Sequence, residues 1–203
     1  MNEGYIKFRC DWKQEEILIP EELFRKLEVA RSRLYELGLI GMNPDGIGFG
    51  NISVRADNQK SFFITGSATG QHPRLNPEHY ALVSGYSFKL NSVSCLGLTK
   101  ASAESLTHAA VYESLPEAGA VVHAHCLWLW EKLLNYYPTT SADVEYGTPE
   151  MAYEVKEVAE KTTSHFEKII IMGGHQEGIL AFANTLEEAV TAIINLYKKY
   201  KND

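Results

Sequence analysis

Seven residues near the middle of the chain, Gly119-Ala-Val-Val-His-Ala-His125, join a short apolar run to a pair of histidines. A run this short and β-rich reads as a buried strand. On a strand, residues i and i+2 face the same side, so the imidazoles of His123 and His125 converge on one point. Taken alone, the pair is explained as well by packed or solvent-facing side chains as by a metal ion. A third histidine shifts the balance. His175 follows the apolar segment Lys168-Ile-Ile-Ile-Met172 through Gly173-Gly174, and the glycines let the backbone turn tightly at a strand end. Two imidazoles from one strand and a third from another give an open three-histidine site, which suits zinc with a coordination position left free. His72, His79, His108 and His165 lack this setting; His108 lies one turn after Glu104, placed to support that carboxylate.

The segments around these strands alternate between helical and extended patterns. Pro20-Glu21-Glu22 opens the spacing Leu23, Leu27, Ala30, Leu34, Leu37, an amphipathic helix ended by Gly38 and Gly41. Gly46 to Arg55 is a glycine-rich loop entering a short strand, Asp57-Asn58-Gln59 is turn chemistry, and Phe62 to Ile64 is a buried strand. Tyr80 to Val83 and Ser87 to Leu90 are expected as further strands. Ser102 to Leu115 is expected as a helix with Ser102 as its N-cap and Pro116 as its stop. Helices are also expected from Leu127 to Leu134, after Thr148-Pro149, and after the capping-box pattern Thr185-Leu-Glu-Glu188. Lys168 to Met172 reads as a central strand with Gly178 to Ala183 as its neighbour. This order predicts one α/β domain over residues 1–203, with short β-to-β connections that make much of the sheet antiparallel.

Composition narrows the function classes. With 45% hydrophobic and 22% charged residues, the chain has the make-up of an ordinary soluble globular protein. A net charge of −7 repels nucleic acid and anionic membrane, and no local basic patch offsets it. Lys198, Lys199 and Lys201 read as a solvated helix end, where the dipole favours cations. Cys10, Cys95 and Cys126 form neither a CxxC nor an even framework, which points to a reducing compartment. No apolar run approaches the ~20 residues of a membrane span, and the N-terminus lacks a signal-peptide pattern. The expectation is therefore a cytoplasmic protein without a nucleic-acid or membrane partner.

Several further groups bear on chemistry. Glu104 lies 19 residues before His123, in the expected first turn of its helix. The helix dipole favours a carboxylate there with or without a function. Asn51 after Gly50, the loop residues Ser67, Thr69 and Gly70, and Ser102 at a helix start could together cradle an anion.

These pieces, in order along the chain, resemble the class II aldolase/adducin family, which includes fuculose-phosphate aldolase and ribulose-phosphate 4-epimerase. They are Gly50-Asn-Ile-Ser-Val-Arg55, Ile64-Thr-Gly-Ser-Ala-Thr-Gly70, Ser102-Ala-Glu104, Ala120-Val-Val-His-Ala-His125, Tyr146-Gly-Thr148, and Gly174-His175 with Gly178. The resemblance implies a three-layer α/β/α fold with a largely antiparallel central sheet, assembled as a homotetramer. It makes His123, His125 and His175 the ligands of Zn2+, with Mn2+ or Co2+ as alternatives. Glu104 becomes a further metal neighbour and the acid/base, and Asn51, Thr69, Gly70 and Ser102 fall on phosphate-binding positions. The implied function is a zinc-dependent lyase acting on a phosphorylated sugar or related polyol through a metal-stabilised enediolate. The alternatives are an epimerase, dehydratase or decarboxylase using the same site, or a non-catalytic adducin-like scaffold. Departures from the family pattern include Ala103 in place of a second serine and Asp143 in place of a tyrosine. The chain also lacks a longer C-terminal tail that supplies another tyrosine, and its Gly66 to Gly70 loop is longer than the usual form.

Overall fold

A computed structural model describes residues 5–56, 60–161 and 168–201. The turn expected at Asp57-Asn58-Gln59 and the histidine His165 lie outside the described residues. The elements are β1 (Arg9–Lys13), α1 (Glu21–Glu36), β2 (Gly41–Met42), β3 (Gly48–Phe49), β4 (Asn51–Arg55), β5 (Phe62–Thr65), β6 (Tyr80–Ser87) and β7 (Ser92–Leu96). Then come α2 (Ser105–Ser114), β8 (Ala120–His125), α3 (Leu127–Leu133), α4 (Pro149–Lys161), β9 (Ile169–Ile171), β10 (Gly178–Ala183) and α5 (Leu186–Lys201).

Among the described residues, eight strands form one sheet in the order β1-β7-β6-β5-β4-β8-β10-β9. Every neighbouring pair is antiparallel except β1 with β7. Side chains alternate across it. Val122, Ala124, Ile179 and Ala181 join one buried cluster with α1, α3 and α5, whereas Val121, Leu180 and Phe182 join a second with α2 and α4. Helices thus cover both faces of the sheet, giving the expected three layers with a mostly antiparallel centre. His123 and His125 share the parity of Val121 and so leave β8 on the side of α2.

Local chemistry explains most boundaries. Gly38 ends α1 at φ +69°. Thr148 caps α4 by accepting the Met151 N–H, and Thr185 with Glu188 forms the reciprocal capping box before α5.

Four expectations are corrected. The strand expected over Lys168–Met172 is β9, Ile169–Ile171, and lies at the sheet edge, not at its centre. Its outer side is closed by the loop at Pro138 to Thr140, where Ile171 N–H donates to Pro138 O at 2.8 Å and Thr140 N–H to Ile171 O at 3.0 Å. Helices cover both faces of the sheet here, so the sequence is apolar throughout without being central. Second, Ser87–Leu90 is not a separate strand. β6 continues to Ser87 past a register shift between Val83 and Gly85, and the chain then turns at an exposed Leu90 and a left-handed Asn91. Third, α2 starts at Ser105, three residues after Ser102, with Glu104 at the N-cap position and not in the first turn. Ser102 is tied into the preceding turn, where its carbonyl accepts both the Ser105 N–H and the Ser105 hydroxyl. Fourth, His108 does not support Glu104. Its Nδ1 lies 2.6 Å from Ser53 Oγ, which also meets Tyr112 Oη at 2.8 Å, bridging β4 to α2.

Two buried polar groups tie the layers together. Arg31 on α1 is 1% exposed and donates to the carbonyls of His72, Pro73 and Thr69, holding the loop that follows β5. Replacing it with methionine keeps the bulk and strands those carbonyls. Arg31→Met should cost about 2–4 kcal/mol, read as a drop in thermal midpoint. Burial of His108 lowers its pKa to about 3. Below about pH 6.5 the unfolded chain protonates this residue while the folded chain does not, so acid favours unfolding by up to ~1.4 kcal/mol per pH unit. Urea unfolding between about pH 4 and 7 should therefore lose less stability in acid for His108→Gln than for the unsubstituted protein.

Candidate metal centre

The end of β8, the turn between β9 and β10, and the segment before α2 converge on one cleft. His123 and His125 come from β8, and His175 from the turn Gly173–Gly178. The three rings lie with centroids 4.8 to 5.0 Å apart, and each offers a nitrogen within 4.8 Å of the others. All three are buried. The turn carrying His175 needs its glycines. A Cβ on Gly174 would sit 1.8 Å from Val144 O, and one on Gly173 2.2 Å from Thr140 O.

Neighbours hold the rings in place. Tyr146 stacks on His175 with centroids 4.4 Å apart and planes 22° from parallel. Phe49 packs on His125 at 5.4 Å, and Glu177 brings Oε2 to 3.8 Å from His125 Nδ1. Asn51 is the β4 partner of His123. Gly50 before it, at φ +70°, admits no side chain, since a Cβ would meet Leu39 O at 2.9 Å.

Glu104 lines the same cleft and is 4% exposed. Its Oε2 accepts the Thr107 hydroxyl at 2.6 Å, while Oε1 has no hydrogen-bond partner. Both ring nitrogens of His123 and Oδ1 of Asn51 are likewise buried without one. Leaving such atoms unpaired costs free energy that a bound group would recover. The three imidazole nitrogens are a donor set suited to a divalent cation such as zinc, and Glu104 lines the same cleft without joining that cluster. The pKa of His123 is held well below the ordinary imidazole value, first by burial and then by the neighbouring His125, His175 and His108. The neutral ring is the form that binds a metal.

The expected anion-binding residues also line the cleft: Asn51, Thr69, Gly70 and Ser102. Their capacities differ. Ser102 Oγ accepts the Glu104 N–H at 3.2 Å, which leaves its own hydrogen to donate. The Thr69 hydroxyl already donates to Gly66 O at 2.8 Å. Gly70 packs where a Cβ would fall 2.0 Å from Gly41 O, so that wall of the cleft is bare backbone. Ala68, immediately before Thr69, adopts φ +59°, a conformation uncommon outside glycine. Asp143 is exposed and is not among the cleft residues, whereas Tyr146 is. Phe49 and Glu177 were missed by the sequence reading. An aromatic flanked by glycines in Gly48-Phe49-Gly50 was the one local signal for the former.

Known proteins share this fold. YgbL of Escherichia coli, for which an aldolase, epimerase or decarboxylase role is suggested, superposes with a TM-score of 0.66 at 19% identity, over 89% of this chain and 87% of its own. The l-fuculose-1-phosphate aldolase of Thermus thermophilus gives 0.61 at 23% identity, over 90% and 97%. A sugar-phosphate aldolase of Thermotoga maritima gives 0.65 at 20%, over 87% and 91%. At these identities the likeness speaks for the fold. Residues 33–200 match the family described as Class II Aldolase and Adducin N-terminal domain, and the chain belongs to that family.

Proposed function

We propose that this protein is a zinc-dependent lyase of aldolase type acting on a phosphorylated sugar or related small polyol. The observation that carries the reading is the convergence of three buried histidines in a cleft that is also lined by Glu104, a buried carboxylate whose Oε1 is unpartnered. His123, His125 and His175 would hold the ion, with Glu104 beside it. Bound there, zinc supplies Lewis acidity toward the oxygens of a hydroxy-carbonyl substrate.

The chain's own groups do the rest. Glu104, whose Oε1 is unpartnered, carries the proton that moves as the carbon–carbon bond breaks or forms. Its second oxygen is fixed by Thr107, so the carboxylate does not swing away. The Ser102 hydroxyl and the backbone around Gly70 donate to the phosphoryl oxygens, and Asn51 contributes through its side-chain amide. Tyr146, Phe49 and the sheet beneath keep the rings in place and exclude water from one side. A homotetramer belongs to this reading, and exposed Leu18, Val29, Tyr136 and Tyr153 supply apolar surface for subunit contacts.

A second reading keeps the metal site and changes the reaction to epimerisation, dehydration or decarboxylation. Asp143 favours it, because it is exposed and carries no phenol at the position where the aldolase pattern has a tyrosine acting in the neighbouring subunit's site. The name attached to YgbL spans the same choice. Aldehyde release from candidate ketose phosphates separates the two readings.

Elemental analysis at native loading should find about one zinc per chain. His123→Ala should lose tight metal binding while keeping its far-ultraviolet circular dichroism, and retained metal would reassign the ligands. Glu104→Gln should keep the metal and lower turnover by about 10²- to 10⁴-fold. Unchanged turnover would move the acid/base role to another group.

A further inference from the structure

Glu177 is held in a conformation that its residue type disfavours. Its φ is +73°, in the left-handed region. The turn around it is fixed on both sides: His175 N–H donates to Met172 O at 3.2 Å, and Gly178 N–H donates to His175 O at 2.9 Å. The carbonyl of Glu177 accepts the Cys126 N–H at 3.0 Å, which anchors this residue to the end of β8 immediately after His125. Glycine would occupy the position without strain. A glutamate there brings a carboxylate to 3.8 Å from Nδ1 of a buried histidine.

We infer that Glu177 is a positioning residue for the metal centre, accepting a hydrogen bond from His125 Nδ1–H so that Nε2 is the nitrogen presented to the ion. The inference rests on the metal-site reading above. The gap exceeds a charge-assisted hydrogen bond of about 2.8 Å by roughly 1 Å. The Glu177 side chain is 38% exposed, so part of it is not held by packing. A carboxylate behind a ligating imidazole fixes the tautomer, orients the ring and raises its basicity. Phe49 packs against the same ring, so His125 is steered by an aromatic contact and an anion together. The negative charge also offsets part of the charge that a divalent cation brings into a buried site.

The test separates this role from a purely structural one, because strain relief and metal affinity move in opposite directions. Zinc affinity is measured by competition with a chromophoric chelator for the unsubstituted protein, Glu177→Gln and Glu177→Gly, together with the thermal midpoint of each metal-free form. Both variants should bind zinc about 10- to 100-fold more weakly. Metal-free Glu177→Gly should melt higher by about 3 °C, since the left-handed residue is now glycine. With cobalt in place of zinc, Glu177→Gln should shift the visible absorption bands, because the ligand field of His125 changes. Unaltered affinity and an unaltered cobalt spectrum in both variants would overturn the inference while leaving the metal site standing. A lower midpoint for metal-free Glu177→Gly would overturn the claim of strain. No zinc uptake by the unsubstituted protein would sink the metal-site reading itself.

Discussion

The free-energy cost of burying His123 organises this structure. The ring is 1% exposed and neither nitrogen has a hydrogen-bond partner. A polar group buried in this way costs on the order of 1–3 kcal/mol. The fold keeps it there by hydrogen-bonding β8 on both sides. Asn51 on β4 and Leu180 on β10 are the register partners of His123. A slip of one residue would send both β8 histidines to the opposite face and Val122 and Ala124 into the cleft. Two apolar layers make that slip expensive, since each strand residue is already fitted to one cluster or the other. The core thus fixes the polar site against its own desolvation cost.

Much of this was legible in the residues. The i, i+2 spacing of His123 and His125 needs only a strand to become a shared direction, and the apolar run supplied the strand. Gly173-Gly174 marked the turn, and the structure shows why: two backbone carbonyls occupy the space a side chain would need. What stayed hidden depends on three-dimensional cover. β9 reads as central because helices bury both its faces and a loop closes its edge, and sequence does not distinguish these from flanking strands. β1 was invisible for the complementary reason. Its exposed and half-buried residues alternate in a polar stretch, and its partner β7 lies more than 80 residues away. Glu104 was placed two residues too deep because Ser102 resembles an N-cap, whereas its backbone is consumed by the turn before α2. Tyr146 was noticed as a motif letter, yet its stacking on His175 required the fold.

The residues lining the cleft include no lysine or arginine. Ser102, Asn51 and backbone amides are neutral donors, and Glu104 is an anion a short way off. A phosphoryl group entering such a cleft finds no cation among its described lining side chains; Lys7 Nζ stands behind that lining, 3.9 Å from the Tyr146 ring centroid, and the chain carries a net charge of −7. On the proposed reading the positive charge comes from the centre held by the three histidines, so anion affinity and metal occupancy are thermodynamically linked. Linkage of this kind is reciprocal: whatever the cation adds to phosphate binding, phosphate adds to cation binding. That places Glu177 in a balance. An anion behind His125 strengthens the grip on a cation but subtracts from the positive potential felt by the substrate. Its greater distance from the cleft favours the first effect, because Coulomb interactions weaken with separation and with exposure to solvent. A carboxylate set behind one ligand, not among the substrate donors, is the arrangement that serves both.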